Sequence, residues 1–78
     1  MKVILAGNYD EFINCCVENK LRSDDCIYLD RPFKIFGLYL NKDDVIHYGT
    51  WKQRENAYRL ENEILTRLEI TRVRKEKI

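Results

Sequence analysis

The spacing of apolar positions changes along the chain, and each change marks an element. Val3-Ile4-Leu5-Ala6 is a continuous apolar run headed by β-branched residues. It predicts a strand over residues 2–6, buried on both faces as in the middle of a parallel sheet. Gly7 follows, where a tight turn excludes a side chain. Asn8 stands three residues before Glu11, the spacing of a capping box in which Asn8 accepts from an early helical N–H and Glu11 reaches back. The period then becomes helical. Tyr9, Phe12, Ile13, Cys16 and Val17 predict a helix over residues 9–19 with these five on its buried stripe. Asp10, Glu11 and Asn14 fall on the wet side, and acidic residues in the first turn suit the helix dipole.

After a loop over residues 21–25, Cys26-Ile27-Tyr28-Leu29 reads as a second short strand, ended by Asp30-Arg31-Pro32. Residues 33–40 read as a helical turn broken at Gly37 and then extended chain. Asn41-Lys42-Asp43-Asp44 is a turn signal. Val45-Ile46-His47-Tyr48 is the third strand, and Gly49-Thr50-Trp51 is a second junction between strand and helix. A long helix is predicted over residues 53–69. Ala57, Leu60, Ile64 and Leu68 form its stripe, widened by Tyr58 and Leu65, and Glu55/Arg59 and Glu63/Arg67 are spaced as i,i+4 pairs. Beyond it, Ile70-Thr71-Arg72-Val73 fits either a fourth, edge strand or a frayed helical end.

This order points to an α/β fold of βαβ type. We expect one small domain over residues 1–70, in two or three layers, with a short, mostly parallel three-stranded sheet and two main helices. Residues 71–78 form a basic end. Right-handed crossovers place both glycine junctions at the carboxyl edge of the sheet, where open α/β sheets form ligand crevices.

Composition narrows the function classes. The chain has 78 residues, a core size that supplies only about 3–5 kcal/mol of net stability, so self-association fits. The formal net charge is +1, with six basic against eight acidic residues over 1–50 and eight against five over 51–78. That asymmetry falls short of the concentrated basic stripe of a nucleic-acid binder, and Glu69 and Glu76 interrupt the basic end of Arg67, Arg72, Arg74, Lys75 and Lys77. Cys15, Cys16 and Cys26 are odd in number and do not form a disulfide framework, so they read as free thiols of a reducing cytoplasm. His47 is the single histidine, and no spacing suits a metal. No apolar run approaches the ~20 residues that span a bilayer. We expect a cytoplasmic protein without metal or cofactor.

Candidate chemistry concentrates at the two junctions. Asn8 and Tyr9 open the first helix; Thr50, with Gln53 three residues on, is placed to cap the second, and Arg54 lies one turn in. Trp51 and Arg54 near a helix start suit a phosphorylated ligand, and equally a protein interface, where Trp, Tyr and Arg are the common anchors. Ordinary packing of Trp51 on the sheet is the alternative. Cys26 and His47 form a pair only if their strands are neighbours, and nothing else resembles a nucleophile beside a base. Nine aromatics are many for 78 residues. Phe33, Phe36 and Tyr39 lie in a segment with more apolar residues than one short element can bury, which makes it a candidate interface.

The turn Ala6-Gly7-Asn8-Tyr9, Phe12, and Tyr48-Gly49-Thr50-Trp51 with Arg54 resemble a group of short phage-encoded α/β proteins of unassigned function. The similarity spans about residues 2–69 and departs at Cys15-Cys16, where a large aromatic is more usual. The resemblance implies a phage context and no catalytic residue. In that context a small protein works by binding, and inhibiting or modulating, a host protein or defence component, within the host cytoplasm. The alternative is a binder of a nucleotide or other phosphorylated small molecule, held over the two junctions.

Overall fold

The computed structural model describes residues 1–76. Three parallel strands, β1 (Lys2–Ala6), β2 (Cys26–Tyr28) and β3 (Val45–Tyr48), form one sheet in the order β2-β1-β3. Val3 lies opposite Ile27 on one side and Val45 on the other. The pairing of β2 extends one residue further, as Leu29 N–H donates to the Ile4 carbonyl at 2.9 Å. Two helices, α1 (Tyr9–Glu18) and α2 (Ala57–Glu76), complete the α/β fold.

The uninterrupted apolar run of β1 is explained by its central position. Ile4 and Ala6 pack with Phe12, Cys15 and Cys16 of α1. Val3 and Leu5 face the other way and pack with Leu29, Ile35, Trp51, Leu60 and Ile64. The sheet is therefore the middle of three layers, with α1 on one face and α2 on the other. The 3₁₀ turn Pro32–Ile35 inserts Ile35 into the α2 side, and Gly37 releases the chain with a φ of 80°.

Several expected details differ. Within α1, Cys15 is buried and Val17 is exposed, because the covered arc centres on Phe12, Cys15 and Cys16 at spacings of three and four. Tyr9 is also exposed; it sits in the first turn, where its ring packs edge-on to Tyr28 at 5.8 Å. The second helix starts later than residue 53. Trp51–Gln53 is a separate 3₁₀ turn, and Arg54 takes an extended ψ of 143° that interrupts the helical path. Glu55 consequently precedes α2 and has no i,i+4 relationship with Arg59, whereas Glu63 and Arg67 do pair, at 3.0 Å. Tyr58 and Leu65 flank the stripe and stay exposed.

Neither the edge strand nor fraying at 70–73 is seen. Residues 70–76 continue α2, since no glycine or proline stops it. Thr71 turns inward and bonds its hydroxyl to the Arg67 carbonyl at 3.0 Å. Lys77, counted with the basic end, lies outside the described residues.

Candidate functional site

The parallel order puts the ends of β1 and β3 side by side, so the junctions at Gly7 and Gly49 meet at one edge. What joins them is Glu11. Asn8 caps α1 as expected, its side-chain oxygen accepting from Glu11 N–H at 2.9 Å. Glu11 does not close the box on Asn8. Its carboxylate crosses to Thr50, accepting the backbone N–H at 2.7 Å and the hydroxyl at 2.9 Å. Thr50 is thereby committed to Glu11 and makes no side-chain cap on the turn it precedes. These bonds, the backbone one from Thr50 foremost, hold the Glu11 carboxyl below its ordinary value despite some desolvation.

Both glycines serve this contact. A Cβ on Gly7 would collide with the Thr50 hydroxyl, and one on Gly49 with the Glu11 carboxylate. Gly49 also holds a φ of 65°, a left-handed conformation that favours glycine. The N–H that an external anion would need at the second junction is satisfied by an anion of the chain itself.

Arg54 works on the other side of β1. Its Nη1 donates to the carbonyl of Gly7 at 3.0 Å and to the Tyr28 hydroxyl at 2.9 Å, with Ala6 O at 3.4 Å. Nη2 reaches the Asp30 carbonyl at 3.4 Å, and Nε the side-chain oxygen of Asn56 at 3.2 Å. Asn56 also donates to the Asp30 carbonyl at 2.9 Å. One guanidinium thus gathers the chain ends leaving β1 and β2, a task that suits its planar set of five donors. The Asp30 carboxylate pairs with Lys34 at 2.6 Å. Burial works against that ionisation, but the bond and charge of Lys34 outweigh it and lower its pKa.

Trp51 is buried among Leu5, Leu60 and Ile64, with the His47 ring tilted against it at 4.9 Å between ring centres. It is a core residue of this edge. Asn8, Tyr9, Thr50, Trp51 and Arg54 therefore do converge, but only Asn8, Tyr9 and Thr50 are exposed. Beside them a cavity of about 310 Å³ is lined by Gly7, Arg31, Arg54, Glu55 and Asn56. Arg31 and Asn56 carry no motif and were not among the expected site residues; Arg31 stood out only as part of the Asp30-Arg31-Pro32 strand end.

Phe33, Phe36 and Tyr39 are exposed by 64%, 59% and 54% of their surface. Arg74 of α2 lies 4.9 Å over the Tyr39 ring. Buried Ile35 and Leu40 fasten the same segment to the core.

Other candidate chemistry separates. β1 lies between the strands of Cys26 and His47, so these two are not neighbours. Cys15, Cys16 and Cys26 are free, and burial raises the Cys15 and Cys26 thiols above their ordinary values. Among the described residues no cluster of His, Cys, Asp and Glu suits a metal, and no helix is long and apolar enough to cross a membrane. Arg67 and Arg72 are paired with Glu63 and Glu69. Searches of family models, curated proteins and solved structures find no match to the chain.

Proposed function

We propose that this chain is a non-enzymatic binding protein whose contact surface is the aromatic segment 33–39. The observation that carries this reading is the exposure of Phe33, Phe36 and Tyr39 on a segment held to the core by Ile35 and Leu40. Large aromatics on a backed segment bury much area at little entropic cost, which is why such residues dominate interface energetics. The resemblance to short phage-encoded proteins supplies the partner class: a host protein or defence component in the host cytoplasm, bound and thereby inhibited or modulated.

Trp51 and Arg54 enter this reading as supports of the fold. The test uses tagged chain, capture from bacterial lysate and identification of the retained protein by mass spectrometry. A specific protein captured by the wild type and lost with Phe33→Ser, Phe36→Ser and Tyr39→Ser combined is the expected result. Capture that survives the triple substitution, in a chain whose circular dichroism is unchanged, removes the segment as the contact surface. Sedimentation of the free chain tests the competing use of the same segment, pairing with a second copy.

A further inference from the structure

The chain's charge is not balanced evenly over the carboxyl edge of the sheet. At the Gly7–Gly49 gap, Glu11 meets N–H and hydroxyl donors of Thr50. One strand over, two guanidiniums line the same 310 Å³ cavity, and Glu55 is the one carboxylate in its lining. The Asp30 carboxylate, the next in sequence to Arg31, is held by Lys34 at 2.6 Å. Arg31 makes no ion pair among the described residues, and every acceptor of Arg54 is neutral: three backbone carbonyls, a phenol and an amide. Nη2 of Arg54 has two hydrogens and one acceptor, at 3.4 Å. Arg54 is half-buried and its direct acceptors are all dipoles, while Arg31 is exposed, so the two charges give this cavity a positive surface.

We propose that this cavity binds the phosphate group of a small phosphorylated molecule, with Arg31 and the unused Nη2–H of Arg54 as its donors. Arg54 is fixed in place by its other bonds, so little ordering is required when the ligand arrives. Arg31 follows the β2 segment and shares the cavity lining with Arg54, which puts a second cation beside the bound anion. The size is near the lower limit of roughly 300 Å³ for small-molecule pockets, which suits a monophosphate better than a dinucleotide. Glu55 is the competing charge, and its role gives the proposal a signed test: neutralising it strengthens anion binding. The proposal rests on the guanidiniums of the cavity and does not depend on the role of the aromatic rings.

The experiment titrates inorganic phosphate, adenosine monophosphate and unphosphorylated adenosine into the 15N-labelled full chain. Phosphate and the monophosphate are expected to shift the amides of Gly7, Arg31, Glu55 and Asn56, while adenosine leaves them in place. Binding of both by the same amides with equal affinity identifies the phosphate as the whole determinant; tighter monophosphate binding shows that the cavity also takes the nucleoside. Arg31→Gln is expected to weaken binding at least about tenfold, the loss of one charge-assisted contact. Glu55→Gln is expected to tighten it. Arg31 contributes to the fold through its backbone carbonyl, which Arg31→Gln keeps, so this variant keeps the test sharp even if Arg54→Lys fails to fold. The proposal is overturned if neither phosphate compound shifts these amides, if adenosine shifts them equally, or if Arg31→Gln binds like the wild type.

Discussion

Glu11, in the first turn of α1, accepts both the backbone N–H and the hydroxyl of Thr50, 39 residues further along the chain. The contact closes the gap between the ends of β1 and β3. It occupies the donors that a phosphate at the second junction would use. It also explains why glycine stands at both positions 7 and 49, since a Cβ at either would strike one of the two partners.

The bond has a pH signature. The folded Glu11 carboxyl titrates below its ordinary value of 4.5. Its contribution to stability is therefore fully present above that value and is lost as pH falls through the folded pKa. Glu11→Gln is expected to lower the urea midpoint at pH 7. The difference from wild type should shrink progressively in acid below about pH 4.5. Urea denaturation of both proteins from pH 7 to pH 3 measures it. A difference that stays constant over that range would show that the ionised form of Glu11 is not what stabilises the fold.

The glycines should couple to Thr50. Gly7→Ala is expected to cost about 1–3 kcal/mol, the usual range for overpacking. The cost should be smaller in a Thr50→Ala background, where the hydroxyl facing position 7 is gone. Gly49→Ala is penalised by its φ of 65° as well, so Thr50→Ala should rescue it less. A double-mutant cycle in urea reads both couplings, and strict additivity for Gly7 and Thr50 contradicts the contact.

The strands, the α1 cap and the α2 stripe were legible because burial imposes its period on residue type, whereas in α1 Cys15 is buried in place of Val17. Val3, Leu5, Leu60 and Ile64 are buried as their spacing predicts. The edge was less legible, for a physical reason. Gly7, Asn8 and Gly49 mark turns whatever those turns hold, and the local rules that place Glu11 in a capping box do not see a partner 39 residues away. Arg54 was misplaced for a related reason. The spacing of Ala57, Leu60 and Ile64 continues smoothly back toward Gln53, so nothing local announces that Arg54 turns extended to reach the carbonyls of Gly7 and Asp30. The exposed trio of Phe33, Phe36 and Tyr39 was anticipated from a simple excess of apolar residues over what a short segment can bury.

Arg54 should be among the most costly polar positions to replace. Arg54→Ala removes the donors to Gly7, Tyr28 and Asp30 together and leaves carbonyls at a partly buried edge without partners. Unsatisfied groups of this kind cost about 1–3 kcal/mol each where water cannot replace the bond, so a total loss of about 2–4 kcal/mol is expected. Asn56→Ala removes one arm of the same arrangement and should cost less. Thermal or urea denaturation at pH 7 compares the two, and an Arg54→Ala chain as stable as wild type would show that water takes over the donors.

The aromatic segment gives the opposite expectation. Phe33, Phe36 and Tyr39 are each more than half exposed, so replacing them with serine removes little buried area. Surface changes of this kind usually stay within about 0.5 kcal/mol each, apart from the packing of Arg74 on Tyr39, which adds about 0.5–1 kcal/mol at an exposed site. Ile35→Ala, two residues from Phe33 but fully buried, should cost about 2–5 kcal/mol. The contrast separates the two layers of the segment by urea denaturation. Ile35 fastens it to α2 and the sheet, while the rings stand outside as surface available for a partner. A triple serine variant that unfolds like Ile35→Ala would place the rings in the core energetically and would withdraw them from any role in binding.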